Sequence, residues 1–166
     1  MERWIEFIYG PVAISEVDTI QSNGRLYNMS TATFISEEHY LHSSFEPDAE
    51  YVVGEIRTRP MGTYGHADWQ QAIATWFLQH AREWNIRSVS ELRVNTVPRH
   101  YRVPDAVVLD RRNPREETVT IAPLAVFEVL SPADRVQELY EKLDEYTVMG
   151  IPQIWVVDPK TGVFKQ

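Results

Sequence analysis

Apolar and polar positions along this chain change period several times, and each change marks an element. Trp69, Ile73, Trp76, Phe77, His80 and Trp84 recur at helical spacing, with Gln70, Gln79, Arg82 and Glu83 on the other side. The pattern predicts an amphipathic helix over 66–85 with its tryptophans in the core. Leu124 to Leu130 (LAVFEVL) is almost wholly apolar, as expected of a strand buried on both faces. Ile151 to Val157 reads the same way. Between them lies a second helix. Ser131 is its candidate N-cap, Pro132 its first position and Asp134 the acid three residues on, or the cap itself. Val136, Leu139, Tyr140, Leu143 and Thr147 form one face, and Gly150 stops it. Strand, helix, strand makes a crossover, so part of the sheet is expected to be parallel.

The rest of the chain reads in shorter pieces. Glu50 to Pro60 predicts a strand pair or bent strand around Gly54. Ser88 to Thr96 alternates and predicts one or two strands ended by Pro98, and Val103 to Leu109 is the next. Asp110 to Glu117 is a charged loop, Asp158 to Gly162 a turn, and Val163 and Phe164 open a further strand. Ser36, with Glu37 and Glu38 after it, caps a short helix. Asn23-Gly24 is a hairpin signal. The fold class is α/β, a mixed sheet with helices packed against it.

Composition narrows the chemistry. The chain has 166 residues, the size of one domain, and no cysteine. That excludes disulfides, a thiol nucleophile and cysteine-ligated metal. No apolar run approaches the ~20 residues of a membrane span, and the start lacks a secretion pattern, so the expected compartment is the cytoplasm. The net charge of −8 is unevenly spread. Residues 1–50 carry −7, 51–117 carry +2 with ten arginines as their basic groups, and 118–166 carry −3. This is either a solvated surface with an acidic arm or an arginine-bearing middle able to meet phosphates.

Three acids stand where strands want apolar residues: Asp105 after Pro104, Glu128 inside LAVFEVL, and Glu55 after Gly54. A buried carboxylate costs several kcal/mol unless it is paired or binds a cation. Asp105 and Glu128 on neighbouring strands could share Mg²⁺; an arginine partner is the bland alternative. Lys142 borders the apolar face of the second helix and can lean toward the two acids, or snorkel to solvent, or pair with Glu138. His39 and His42 form an HxxH without a third ligand nearby, weak ground for zinc. His66 and His80 read as a cap-region and a core histidine.

The stretches YVVGEIRTRPMG and GHADWQ, then VPDAVVL, LAVFEVLSPADR, EKLDEY and MGIPQIWVVDP, resemble the Uma-type restriction endonucleases, small prokaryotic proteins of the PD-(D/E)XK nuclease superfamily. The likeness runs from about Ser36 to Phe164. It implies a restriction-endonuclease-like fold, a mixed central sheet flanked by helices with the metal site at the sheet edge. By position, Asp105 matches the Pro-Asp acid, Glu128 the (D/E) acid, Glu55 a Gly-Glu acid on the early hairpin, and Lys142 the lysine of a Lys-Leu-x-x-Tyr helix. The chain departs from the pattern in three places. Leu130 stands where the superfamily has its lysine, so Lys142 is the implied replacement. Val53 precedes Gly54 where Asp would turn more tightly. The chain also stops at Gln166 inside a strand that such proteins continue, a truncated edge. Residues 1–28 have no counterpart, which divides the chain into an N-terminal extension and a nuclease-like domain over 29–166.

The resemblance implies a Mg²⁺- or Mn²⁺-dependent endonuclease acting on DNA, working as a homodimer and without a membrane partner. Asp105, Glu128 and a backbone carbonyl near Val129 would hold the metal, with Glu55 on it directly or through water. Lys142 would orient the attacking hydroxide or neutralise charge on the phosphate. Arg57, Arg59, Arg93, Arg99 and Arg102 are candidates for backbone contact. Two rivals stand against this: a catalytically weak or inactive nuclease-fold module that binds nucleic acid, and an oligomerising protein whose buried acids pair with arginines.

Overall fold

The computed structural model describes residues 34–45, 48–59, 62–132 and 134–165. The expected hairpin at Asn23-Gly24 and the extension over 1–28 lie outside them. A short helix α1 (Glu37–Leu41) opens on Ser36, whose Oγ accepts the His39 amide at 3.1 Å. Strands β1 (Ala49–Val52) and β2 (Glu55–Thr58) follow as a hairpin. Its two-residue turn has φ of 49° at Val53 and 100° at Gly54, the pair of left-handed residues that matches the strands' twist. A Cβ on Gly54 would also fall 2.9 Å from the Phe34 ring.

Helix α2 (Tyr64–His80) is capped by Thr63 and ends before the predicted 85. Only its inner stripe of Trp69, Ile73 and Phe77 packs against the core. Trp76 and Trp84 are 49% and 43% exposed, a correction to the core assignment of the tryptophans. They form an outer ladder with His80, whose ring lies 4.5 Å from Trp76 and 4.4 Å from Trp84. The chain leaves the helix at Ala81, so Trp84 drops off the helical stripe its spacing suggested.

Strands β3 (Ile86–Ser90), β4 (Arg93–Val97), β5 (His100–Arg102), β6 (Ala106–Asp110), β7 (Thr118–Val119) and β8 (Ala125–Val129) come next. After them run helix α3 (Val136–Met149) and strands β9 (Ile154–Asp158) and β10 (Val163–Lys165). The structure is mixed α/β, and its strands divide into two sheets. One has the order β2-β1-β5-β4-β7, the other β10-β9-β8-β6-β3. As predicted, α3 is a crossover, joining the parallel pair β8 and β9. Its start differs from expectation. The Ser131 amide donates to Asp134 Oδ2 at 2.6 Å, so the capping residues close a turn of their own, and the helix begins only after Arg135. Gly150 ends it in the left-handed conformation, φ 86°.

Alternation along the second sheet sorts its side chains. Ala106, Val108, Ala125, Phe127 and Val129 face α2. Val107, Leu109 and Val126 face Tyr146 and Leu143 of α3, together with Val94 and Val119 from the first sheet. Strand β8 is thus covered on both sides, which is why its sequence is apolar throughout. A third cluster, Tyr40, Tyr51 and Tyr101, seats α1 on the first sheet. Among the described residues, no helix is long and apolar enough to cross a membrane.

Candidate active site

Pro104 ends the link from β5, and Asp105 sits one residue before β6. The β6–β8 register pairs Ala106 with Phe127; one rung further, Asp105 stands opposite Glu128. Both side chains share the sheet face of Val107 and Val126, the face that looks toward α3. Lys142 reaches in from α3, its Nζ 3.4 Å from Glu128 Oε2 and 2.8 Å from Glu50 Oε1. These four residues line one cavity of about 350 Å³, with Arg59, His66, Gln70, Val129 and Ser131 among its other walls.

Each acid is held by named donors. Asp105 Oδ1 takes Arg59 Nη2 at 2.5 Å and lies 3.2 Å from His66 Nε2, and Oδ2 takes the Val129 amide at 2.6 Å. Burial works to raise this carboxyl, but His66, Arg59 and the amide outweigh it and hold it below the ordinary value. His66 is raised in turn by its bond to Asp105. Glu128 accepts the Tyr146 hydroxyl on Oε1 at 2.6 Å. Its balance goes the other way. Burial, and the negative charges of Asp105 and Glu50, push it up to about 7 in spite of Lys142. Lys142 itself stays above its usual range, because Glu128 and Glu50 outweigh the burial that would lower it.

The structure brings Asp105, Glu128, Lys142 and Val129 to this cavity and leaves Glu55 out. Glu55 pairs with Arg57 at 3.1 Å, and its side chain is 45% exposed. The hairpin register explains the difference. Glu50 pairs with Arg57 and Val52 with Glu55, so both acids face the same side, but Glu55 lies two rungs nearer the turn. At ~3.3 Å per residue that is too far along the strand to reach the cavity. Glu50 faces it instead.

Glu50 and Gln70 were not singled out from the sequence, and the roles of His66 and Arg59 at Asp105 were not either. Glu50 carried a usable signal, a charge beside the apolar Tyr51-Val52-Val53, akin to the charge inside an apolar run that singled out Glu128. His66 looked like a cap-region residue, and its backbone amide does bond the Thr63 cap, but its ring points to Asp105. Arg59 bridges Asp105 and Glu91, and Gln70 Nε2 donates to the Asp105 carbonyl at 3.0 Å. Nothing local announces either contact. Arg102, a candidate for DNA backbone contact, is 1% exposed, bonded to Glu50 and Glu145, and stands in the cavity wall and not on an outer face. Arg57 joins Glu141 at 2.7 Å, and Arg93 lies over the Tyr40 ring. His39 sits on α1 and His42 caps its C-terminal end, with the His42 ring bonded to the Glu38 carbonyl. Among the described residues there is no group of three or more histidine or acidic side chains disposed to hold a metal ion.

The donor chemistry nevertheless fits a hard divalent cation. Two carboxylates face each other across adjacent strands, and one of them resists ionisation because it is buried and because Asp105 and Glu50 add negative charge beside it. A cation there would remove that penalty, and Mg²⁺ takes one or two carboxylates, completing its shell with water and phosphate oxygens.

Comparison with known proteins adds three findings. The profile of the Uma2 family, described as "Putative restriction endonuclease", matches residues 36–164. A crystal structure from Anabaena variabilis ATCC 29413, described as "a putative nuclease belonging to DUF820", is 27% identical with a TM-score of 0.67, over 75% of this chain and 73% of that one. No curated protein matches the chain.

Proposed function

The chain belongs to the Uma2 family, and from that membership and the charges around its cavity we propose that it is a nuclease, specifically a divalent-metal-dependent endonuclease that hydrolyses phosphodiester bonds of DNA. The observation that supports this most is the opposition of Asp105 and Glu128 across β6 and β8, with Lys142 entering from α3. Asp105 and Glu128, with the Val129 carbonyl, would hold Mg²⁺ or Mn²⁺. When bound, the ion would polarise the scissile phosphate and acidify a water. Tyr146 holds one oxygen of Glu128 and the Val129 amide one oxygen of Asp105, which orients the two carboxylates. Lys142 carries the positive charge that meets negative charge growing on the phosphate, or orients the attacking water. Cleavage of both strands calls for two copies, and a homodimer is part of the proposal.

Supercoiled plasmid tests it. The wild type should nick or linearise DNA with Mg²⁺ or Mn²⁺ and stop in chelator. Asp105→Ala with Glu128→Ala should reduce the rate by roughly a thousandfold or more while the fold persists. Cutting by the double variant at the wild-type rate would sink the assignment.

One observation favours an inactive relative of the nucleases. Both Asp105 oxygens already have partners, Arg59 and His66 on one and the Val129 amide on the other. Leu130 also stands where the superfamily lysine would be. An internally neutralised site of that kind would give no saturable Mn²⁺ binding and no cutting with any divalent ion.

A further inference from the structure

Lys142 needs a fixed position to serve a phosphate, yet its side chain has four rotatable bonds and loses rotamer freedom when pinned. We propose that Glu50 is the residue that positions it: a buried carboxylate, anchored by Arg102 and the Val103 amide, holds the Lys142 ammonium beside Glu128. The inference rests on the nuclease reading for the step that Lys142 serves; the anchoring itself does not.

The geometry carries it. Glu50 lies closer to Nζ than Glu128 does, 2.8 Å against 3.4 Å. Its own plane is fixed from two further directions. Oε2 accepts Arg102 Nη1 at 3.0 Å, and Oε1 accepts the Val103 amide at 3.1 Å. Extending the β1–β5 register by one rung sets Glu50 directly opposite Arg102. Arg102 then grips Glu145 with two nitrogens, Nε on Oε2 at 2.9 Å and Nη2 on Oε1 at 2.5 Å. The Glu145 oxygens also take Thr96 Oγ1 at 2.7 Å and lie 2.8 Å from His100 Nδ1. Glu145 is three residues beyond Lys142 on α3, on the same side of the helix. Lys142, Glu50, Arg102 and Glu145 therefore form a chain of alternating charge whose two ends lie on α3 and whose middle two members lie on strands of the first sheet. Three donors already sit on Glu50, two on Oε1 and one on Oε2, so its plane is set by protein groups.

The sequence supplies a clean probe. It holds three lysines, Lys142, Lys160 and Lys165, so ¹⁵N-lysine labelling yields at most three ammonium signals. The Lys142 signal is assigned by its loss in Lys142→Arg. In the wild type its protons should exchange at least about tenfold more slowly than those of exposed Lys160. Glu50→Gln should bring the two within about twofold and shift the Lys142 resonance toward that of Lys160. An unchanged Lys142 signal in Glu50→Gln overturns the proposal. If that variant does not fold, the wild-type comparison decides: a Lys142 ammonium that exchanges as fast as Lys160 overturns it, a protected one supports it.

Kinetics tests the same point in the reaction. Glu50→Gln should lower kcat roughly tenfold or more, with KM for DNA and Kd for Mn²⁺ within about twofold of wild type. In a Lys142→Ala background it should add nothing further. Multiplying losses, or a weakened Mn²⁺ affinity, would overturn the positioning role. A wild type that cuts no DNA would sink the nuclease reading alone, and the ammonium spectra would still decide whether Glu50 fixes Lys142.

Discussion

Glu128 is a buried carboxyl with a tyrosine hydroxyl on one oxygen and an ammonium near the other. Its folded value of about 7 lies above its ordinary 4.5. Between those two values the native state binds more protons than the unfolded chain, so this group costs stability as pH rises and the full cost is present above about 7. Glu128→Gln removes the titration. Relative to wild type, the variant should gain ~1–3 kcal/mol between pH 5 and pH 8 in chelator, measured by urea unfolding at both values. A difference that stays flat with pH would show that burial and the neighbouring acids do not raise this carboxyl. Asp105 differs because its neighbours are cationic, and the same burial ends in a lowered value.

At the scale of elements, α3 carries the site. It delivers Lys142, Glu145 and Tyr146 within five residues, and Leu143 and Met149 pack with Tyr146 on the core. The helix must therefore stop on time, so that Ile151 can turn into β9 alongside β8. Gly150 does this with φ 86°, donating its amide to the Thr147 carbonyl at 3.0 Å. A Cβ there would meet nothing within 4 Å, so the cost of Gly150→Ala is backbone strain alone, about 1 kcal/mol. Thermal unfolding should show that loss, with Mn²⁺ affinity unchanged. A much larger loss would mean that the cap is crowded. The hairpin β1–β2 is the second element that matters, since its register chooses which acid meets Lys142.

At the scale of the molecule, the two sheets and α3 are tied by charge as well as by the core that Val94, Val107 and Tyr146 share. Arg102 joins Glu50 of the first sheet to Glu145 of the helix that covers the second. Burial alone would raise Glu145, but Arg102, His100 and Thr96 hold it at about 2. The stability this contributes is present above about pH 4.5 and is lost as pH falls from there toward 2. Glu145→Gln leaves Arg102 half-paired in the interior and should cost about 3 kcal/mol near neutral pH, shrinking as the acid limb is approached. Denaturant unfolding across pH 2.5–7 checks this; a constant penalty would remove the titrating pair as the cause.

Local pattern alone settled a good deal here. The apolar run around Glu128, the Pro-Asp step at 104–105, the crossover helix stopped by Gly150 and the turn at Gly54 each follow from backbone preference or period, which neighbours along the chain dictate. Lys142's side of α3 follows from the same arithmetic. Only tertiary packing divided the strands between two sheets, turned His66 and Arg59 onto Asp105, and chose Glu50 over Glu55. Periodicity assigns a side chain to a face. Its position along the strand relative to a distant helix depends on how the layers slide against one another, and that is set by the fit of buried volumes across the whole core.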